Sequence, residues 1–366
     1  MRLEPQPGTP VDELDTPALL LDLDAFEHNL GQMARFFAGL PASLRPHAKT
    51  HKCPQIVLRQ LQAGAIGITC AKVSEAEVMA RAGVRDLLIA NQVVGPLKID
   101  RLTDLAGRCD LMVAVDDAAN VDMLAQACRA KGVSLRVLVE VDVGMGRCGV
   151  AAGEAALALA RRVATTSHLH LAGLMGYEGH LVLIADPQVR AEKVRQAMSL
   201  LQMTFDLMER SGLPAPIVSG GGTGTYDVTA TCPPVTEVQA GSYVFMDTTY
   251  LKVRPEFRPA LALLATVVSR VAPGRIILDA GMKAVTREFG LPEVAGLEGV
   301  TVRHLSEEHA TLELADPGAV ALRPGDRVSL LPSHCCTTVN LHDRLYVVQR
   351  GALVDIWPIA ARGCAQ

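Results

Sequence analysis

The chain has 366 residues, more than one ordinary domain needs and about right for one large domain plus a smaller one. Hydrophobic residues make up 49% and charged residues 20%, so a substantial core is available and disorder is excluded as the main state. A net charge of -4 offers no basic excess to neutralise a nucleic-acid backbone. No apolar run reaches the roughly 18 residues that span a bilayer, and 4% aromatic residues leave little for stacking platforms. Nucleic-acid and membrane partners are therefore not expected. The first ten residues hold no apolar secretory core. The nine cysteines, an odd number scattered from Cys53 to Cys364, read as reduced thiols of a cytoplasmic protein.

An apolar run at 18–23 precedes a helical segment at 25–38. Strand-like runs follow at 44–49, 66–71, 86–91, 111–116, 135–142, 170–175, 217–220 and 237–242. Most are separated by segments of helical period, at 74–82, 96–106, 118–130, 154–165 and 189–211. Gly83, Gly132 and Gly212 stand where helices would end. Short apolar strands alternating with helices predict a parallel sheet covered on both faces. Eight of them over about 200 residues fit a (β/α)8 TIM barrel, with an open doubly wound sheet as the alternative. From about residue 258 the texture changes to short β-rich runs at 261–268, 275–279, 311–314, 327–331, 345–349 and 353–359. Turn pairs such as Pro273-Gly274 and Pro324-Gly325 separate them. The expected division is a barrel over 18–257 and a mostly antiparallel β domain built from 1–17 and 258–366. The 18–23 strand is a candidate to be shared between them.

Lys49 falls at the C-terminal end of the first barrel strand, the face where such barrels carry their chemistry. An amine there, among cationic neighbours, can form a Schiff base; the plain alternative is a solvated basic loop. After the seventh strand comes Ser219-Gly220-Gly221-Gly222-Thr223-Gly224-Thr225, and the eighth ends in Ala240-Gly241-Ser242-Tyr243. Glycines let backbone N–H groups approach a phosphate, and loops after strands 7 and 8 often hold one. The alternative is a pair of tight turns. In Pro332-Ser333-His334-Cys335-Cys336, residues i and i+2 of a strand face the same way. His334 and Cys336 could then ligate one metal, with thiolate and imidazole favouring zinc. Otherwise they are ordinary core residues. Arg147 closes the fifth strand, and Tyr177, Glu178 and His180 close the sixth. Glu307-Glu308-His309 and Leu341-His342-Asp343 are polar clusters expected to be solvated loops.

A strand-1 lysine, glycine-rich loops after strands 7 and 8 and an appended β domain resemble the alanine-racemase-type (fold type III) pyridoxal-phosphate enzymes. More closely, the chain is similar to the D-threonine aldolase and D-serine dehydratase group. Arg45-Pro46-His47-Ala48-Lys49, Lys72-Val73-Ser74-Glu75-Ala76, Gly144-Met145-Gly146-Arg147-Cys148-Gly149, Gly220-Gly221-Gly222-Thr223-Gly224, Gln239-Ala240-Gly241-Ser242-Tyr243, Pro332-Ser333-His334 and Asn340-Leu341-His342-Asp343 carry the resemblance. It implies Lys49 as the Schiff-base lysine. Gly222, Thr223, Gly224 and the Gly241-Ser242-Tyr243 turn are implied phosphate binders, with Arg147 near the cofactor's phenolic oxygen and Tyr177 near its ring nitrogen. His334 and Cys336 become ligands of a divalent metal, Zn2+ or Mn2+. The chain departs from the aldolases at two positions. Cys336 stands where they usually have Asp and the zinc-dependent dehydratases have Cys. Leu183 stands where the aldolases tend to carry His, with His180 nearby as a substitute base. The expected activity is PLP- and metal-dependent cleavage of D-β-hydroxy-α-amino acids to glycine and an aldehyde, by a homodimer. Dehydration of such substrates to a keto acid and ammonia is the alternative, and a non-catalytic PLP-binding protein is a third.

Overall fold

The structure, a computed structural model, describes residues 4–318 and 320–366. The first three residues of the N-terminal segment lie outside it. The chain divides into two compact units. One comprises Met33–Lys49, Pro54–Gly241 and Gly363–Gln366; the other comprises the residues up to Gln32, Thr50–Cys53 and Ser242–Arg362.

The first unit is built on eight short parallel strands: Ser43–Leu44, Ile68–Cys70, Asp86–Gln92, Asp110–Val115, Leu135–Glu140, Leu169–Gly176, Ile217–Gly220 and Glu237–Val238. Their apolar side chains are buried on both faces, as a sheet wrapped by helices requires. The eighth strand pairs back onto the first, Ser43 facing Glu237 and Leu44 facing Val238. The first and second are joined by Ile66 N–H to Leu44 C=O (3.0 Å) and Thr69 N–H to Pro46 C=O (2.9 Å), with a parallel bridge between His47 and Thr69. The ring is closed, so the unit is a (β/α)8 barrel and not an open sheet. Helices Val73–Arg81, Pro96–Ala106, Ala118–Lys131, Glu154–Thr165 and Pro187–Arg210 follow five consecutive strands. Asp117 and Asp186 cap two of them, accepting from Asn120 N–H (3.0 Å) and from Gln188 and Val189 N–H (2.8 and 3.0 Å). Gly132 ends its helix in the left-handed region, at φ 65°.

At the N-terminal ends of the strands the buried Arg45 donates to Glu237 (2.9 Å) and Asp86 (2.8 Å), and Arg136 donates to Asp86 (3.0 Å). A Cβ on Gly67 would lie 2.1 Å from Arg45 Nη1, so only glycine leaves the guanidinium room to cross. This end of a barrel serves stability, not chemistry.

The second unit is a nine-stranded, mostly antiparallel sheet. Its long strand Leu261–Ala272 pairs with Ala18–Asp22, Arg275–Leu278 and Arg327–Leu331. Ala18–Asp22 is buried apart from Asp22, and its other edge pairs in parallel with Arg344–Gln349, Leu20 facing Tyr346. Leu263, Val267, Ile276, Leu278, Val302, Leu312 and Leu330 belong to one packed core. Sequence reading passes over the strand Val300–Leu305 and the short helix Cys335–Val339. Contrary to expectation, His334 and Cys336 do not share a strand. His334 is the N-cap of that helix and Cys336 lies in its first turn.

Candidate active site

Lys49 lies in a single 3-10 turn, Ala48–Thr50, just past the first barrel strand. Tyr177 directly follows the sixth, Leu169–Gly176. Lys49 Nζ stands 5.8 Å from the centre of the Tyr177 ring, and Arg147 Cζ stands 5.7 Å from it. Two cations over one phenol ring are within cation–π range and make the surroundings electropositive. Glycines on two sides hold the ring close. A Cβ on Gly179 would lie 2.3 Å from Tyr177 Cε1, and one on Gly222 would lie 3.2 Å from Cε2 and 3.3 Å from the hydroxyl. The loop after the seventh strand therefore packs its backbone against this tyrosine, which a side chain at residue 222 would prevent.

That loop is braced by Glu178. The fully buried carboxylate accepts the Thr225 hydroxyl at 2.6 Å, the Thr229 hydroxyl at 2.5 Å and the Gly221 N–H at 3.2 Å. Gly222 N–H donates to Thr225 Oγ1 at 3.2 Å. Glu178 is thus a positioning residue, and the four-residue helix Tyr226–Thr229 continues the turn it organises. Gly221, at φ +76°, is the loop's one glycine in the left-handed region. A Cβ at Gly224 would lie 2.0 Å from the Val182 carbonyl. The two cations beside this close-packed backbone suit an anionic cofactor such as pyridoxal phosphate.

His180 is exposed and sits in the turn Gly179–Leu181. A Cβ on Gly144 would lie 3.4 Å from its Nε2, so the imidazole rests against the Asp142–Gly146 loop. Backbone N–H groups of Gly146 and Gly144 hold Asp142 below the usual carboxylate range, against an opposing effect of burial. At the end of the fifth strand burial raises the Glu140 pKa, opposed by the Gln92 amide and by Arg147.

In the other unit His334 is positioned by a residue that sequence reading overlooks. Asp247, buried to 1% exposure, accepts from His334 Nδ1 at 3.1 Å, from Cys335 N–H at 3.2 Å and, through its other oxygen, from Tyr250 N–H at 2.8 Å. An acid at the end of the apolar run Val244-Phe245-Met246 was the available signal, since a buried carboxylate needs partners. A carboxylate on Nδ1 orients the imidazole and leaves Nε2 for a metal. Cys336 Sγ lies 3.4 Å from Thr50 Oγ1 and 3.9 Å from Ser242 Oγ. Burial disfavours the charged form of His334, yet Asp247 and Cys336 outweigh it and raise its pKa to about 10. An imidazole and a thiolate suit zinc, with coordination positions left open. Among the described residues no group of three or more His, Cys, Asp or Glu side chains could hold a metal ion. Of the Gly241-Ser242-Tyr243 turn, Ser242 thus lies beside Cys336, while Tyr243 is buried with its ring 6.1 Å from that of Phe257. The 341–343 cluster is not a simple solvated loop, because His342 is half-buried with Nε2 2.7 Å from the Ala284 carbonyl.

Residues 21–249 match the model of the alanine racemase N-terminal domain, and residues 260–348 match that of a putative serine dehydratase domain. The chain is 44% identical to a D-threonine aldolase of Arthrobacter sp., over 98% of this chain and 95% of that protein. It is 36% identical to a 3-hydroxy-D-aspartate aldolase of Paracoccus denitrificans (strain Pd 1222), over 98% and 94%. The crystal structure of D-threonine aldolase from Filomicrobium marinum superposes with a TM-score of 0.96 at 39% identity, covering 99% of this chain and 100% of that one.

Proposed function

Because the chain belongs to the D-threonine aldolase and D-serine dehydratase group of alanine-racemase-type pyridoxal-phosphate enzymes, we propose that it is a lyase cleaving D-β-hydroxy-α-amino acids to glycine and an aldehyde. The gathering of Lys49 and Arg147 around Tyr177 supports this reading most strongly, in a chain 44% identical to a D-threonine aldolase over nearly its whole length. Lys49 would hold the cofactor through its aldehyde group. Gly222, Thr223, Gly224, Gly241, Ser242 and Tyr243 would hold its phosphate, and Arg147 and Tyr177 would hold its ring. Pyridoxal phosphate supplies the electron sink for the Cα–Cβ bond, and a divalent cation at His334 and Cys336 supplies Lewis acidity for the β-hydroxyl. His180, beside Asp142, receives the hydroxyl proton at its imidazole. Nine free cysteines suit a reducing, cytoplasmic setting, and among the described residues no helix is long and apolar enough to cross a membrane. The working unit is a homodimer.

One observation favours a second reading. Cys336 is a thiol where an oxygen ligand would suit an aldolase of this group, and residues 260–348 match the serine dehydratase domain model. In that case Lys49 removes the Cα proton, the β-hydroxide leaves and the products are a keto acid and ammonia. Incubation with pyridoxal phosphate, Zn2+ or Mn2+ and D-threonine, assayed for both acetaldehyde and ammonia, separates the two. Acetaldehyde with an equal amount of glycine is the expected result. Ammonia and 2-oxobutanoate without acetaldehyde would replace the first reading by the second, and neither pair would reject both.

A further inference from the structure

Phe289 is a large apolar side chain left 51% exposed, yet it has a defined neighbour. Its ring centre lies 4.6 Å from that of the His334 imidazole, with the planes inclined at 55°. The residues just before it fix its place. Thr286 N–H donates to Thr338 Oγ1 at 3.3 Å. The Thr286 hydroxyl lies 3.0 Å from that of Thr338 and 2.8 Å from that of Thr337, and the Thr337 hydroxyl donates to Glu288. These contacts fasten the segment to the Cys335–Val339 helix and hold the phenyl ring on the candidate metal ligand. Arg287, between the two anchors, lines a different cleft of about 290 Å³ with Gly290, Leu291, Arg303 and His304. Of this segment, the phenyl ring is the group set against His334.

A substrate whose β-hydroxyl lies at His334 and Cys336 carries its β-substituent close to that imidazole. A carboxylate brought against Phe289 loses hydration with no compensating charge from the phenyl ring. An alkyl group gains apolar contact there, and an aryl group gains ring packing as well. We propose that Phe289 is a specificity residue, an apolar wall for the β-substituent, and that the chain prefers β-aryl and β-alkyl substrates over β-carboxylate ones. This rests on the placement of the β-hydroxyl in the proposed function.

The test compares kcat/KM of the holoenzyme for D-β-hydroxy-α-amino acids bearing β-phenyl, β-methyl and β-carboxylate groups, in wild type, Phe289→Ala and Phe289→Leu. Wild type should favour the phenyl and methyl compounds. Phe289→Ala should lower the β-phenyl value about five- to tenfold relative to the β-methyl value, mainly through KM, and Phe289→Leu should recover part of it. A readout apart from turnover is calorimetric binding of D-phenylalanine, which has the aryl group but no β-hydroxyl to cleave; its Kd should rise by a similar factor in Phe289→Ala. A wild-type preference for the β-carboxylate, or an equal effect of Phe289→Ala on all three substrates, overturns the wall and leaves aldol cleavage standing. If wild type cleaves none of them, the functional reading fails, and the D-phenylalanine affinities alone decide the wall: a weaker Kd in Phe289→Ala upholds it, an unchanged one removes it.

Discussion

Cys336 concentrates the chemical question at the level of single residues. In the proposed function its sulfur and the Nε2 of an Asp247-oriented His334 are the metal's donors, and the donor type would decide which ion binds. On the proposed function, Cys336→Asp should lower zinc retention in favour of manganese or magnesium and raise aldehyde formation relative to ammonia. Elemental analysis of the purified variant checks the first outcome and a paired product assay the second; unchanged zinc content would remove Cys336 from the ligand set. Lys49→Ala should abolish both turnover and the visible absorbance of bound pyridoxal phosphate, because Lys49 is the amine held over Tyr177. A visible band surviving in the variant would pass the role to another amine, Lys52 first. Lys49 and His334 stand out as candidates in the sequence because both lie in motifs with chemical meaning. Asp247 and Phe289 do not, since their roles depend on chain segments far apart in the sequence.

Elements differ in how openly the sequence declares them. The barrel strands and long helices are legible because their periods are unbroken and Asp caps and glycine stops mark their ends. Val300–Leu305 is less so: exposed Arg303 and His304 interrupt the alternation of Val300, Val302 and Leu305. Cys335–Val339 defeats local reading altogether. Its Cys-Cys-Thr-Thr-Val composition favours a strand, but Asp247 accepts the Cys335 N–H, and the Thr338 hydroxyl donates to the His334 carbonyl at 3.0 Å. The tertiary bond to Asp247, together with the local Thr338–His334 bond, thus chooses the helical turn. The 220–225 loop was legible as a turn, while its bracing by Glu178 was not, because the partners lie more than forty residues apart. Gly222→Val tests the loop as an element. The added methyls would press on Tyr177, at about 1–3 kcal/mol of overpacking; they should lower the melting temperature of the cofactor-free protein by roughly a few degrees and raise the Kd for pyridoxal phosphate roughly tenfold or more. A normal Kd would reduce the loop to a connection.

At the scale of the whole molecule, pH acts through groups that folding has buried. His342 is one: burial lowers its pKa, against a smaller upward pull from the Ala284 carbonyl and from Asp343. Folding therefore favours the neutral imidazole. The unfolded chain takes up the proton first as pH falls below about 6.5, so stability present above that pH is lost as pH drops through the folded value. Urea midpoints measured from pH 7.5 downward should fall more steeply for wild type than for His342→Asn; parallel curves would mean that other groups dominate acid unfolding. Architecture also sets an order of events. The strand Ala18–Asp22 is completed on one edge by residues 261–264 and on the other by residues 346–348. A ribosome thus releases this apolar strand long before either partner exists, whereas the barrel's strands find their neighbours as they emerge. The earliest β-strand made is among the last to be satisfied. A chain shortened before Arg344 would keep that strand with one edge unpaired and open to association.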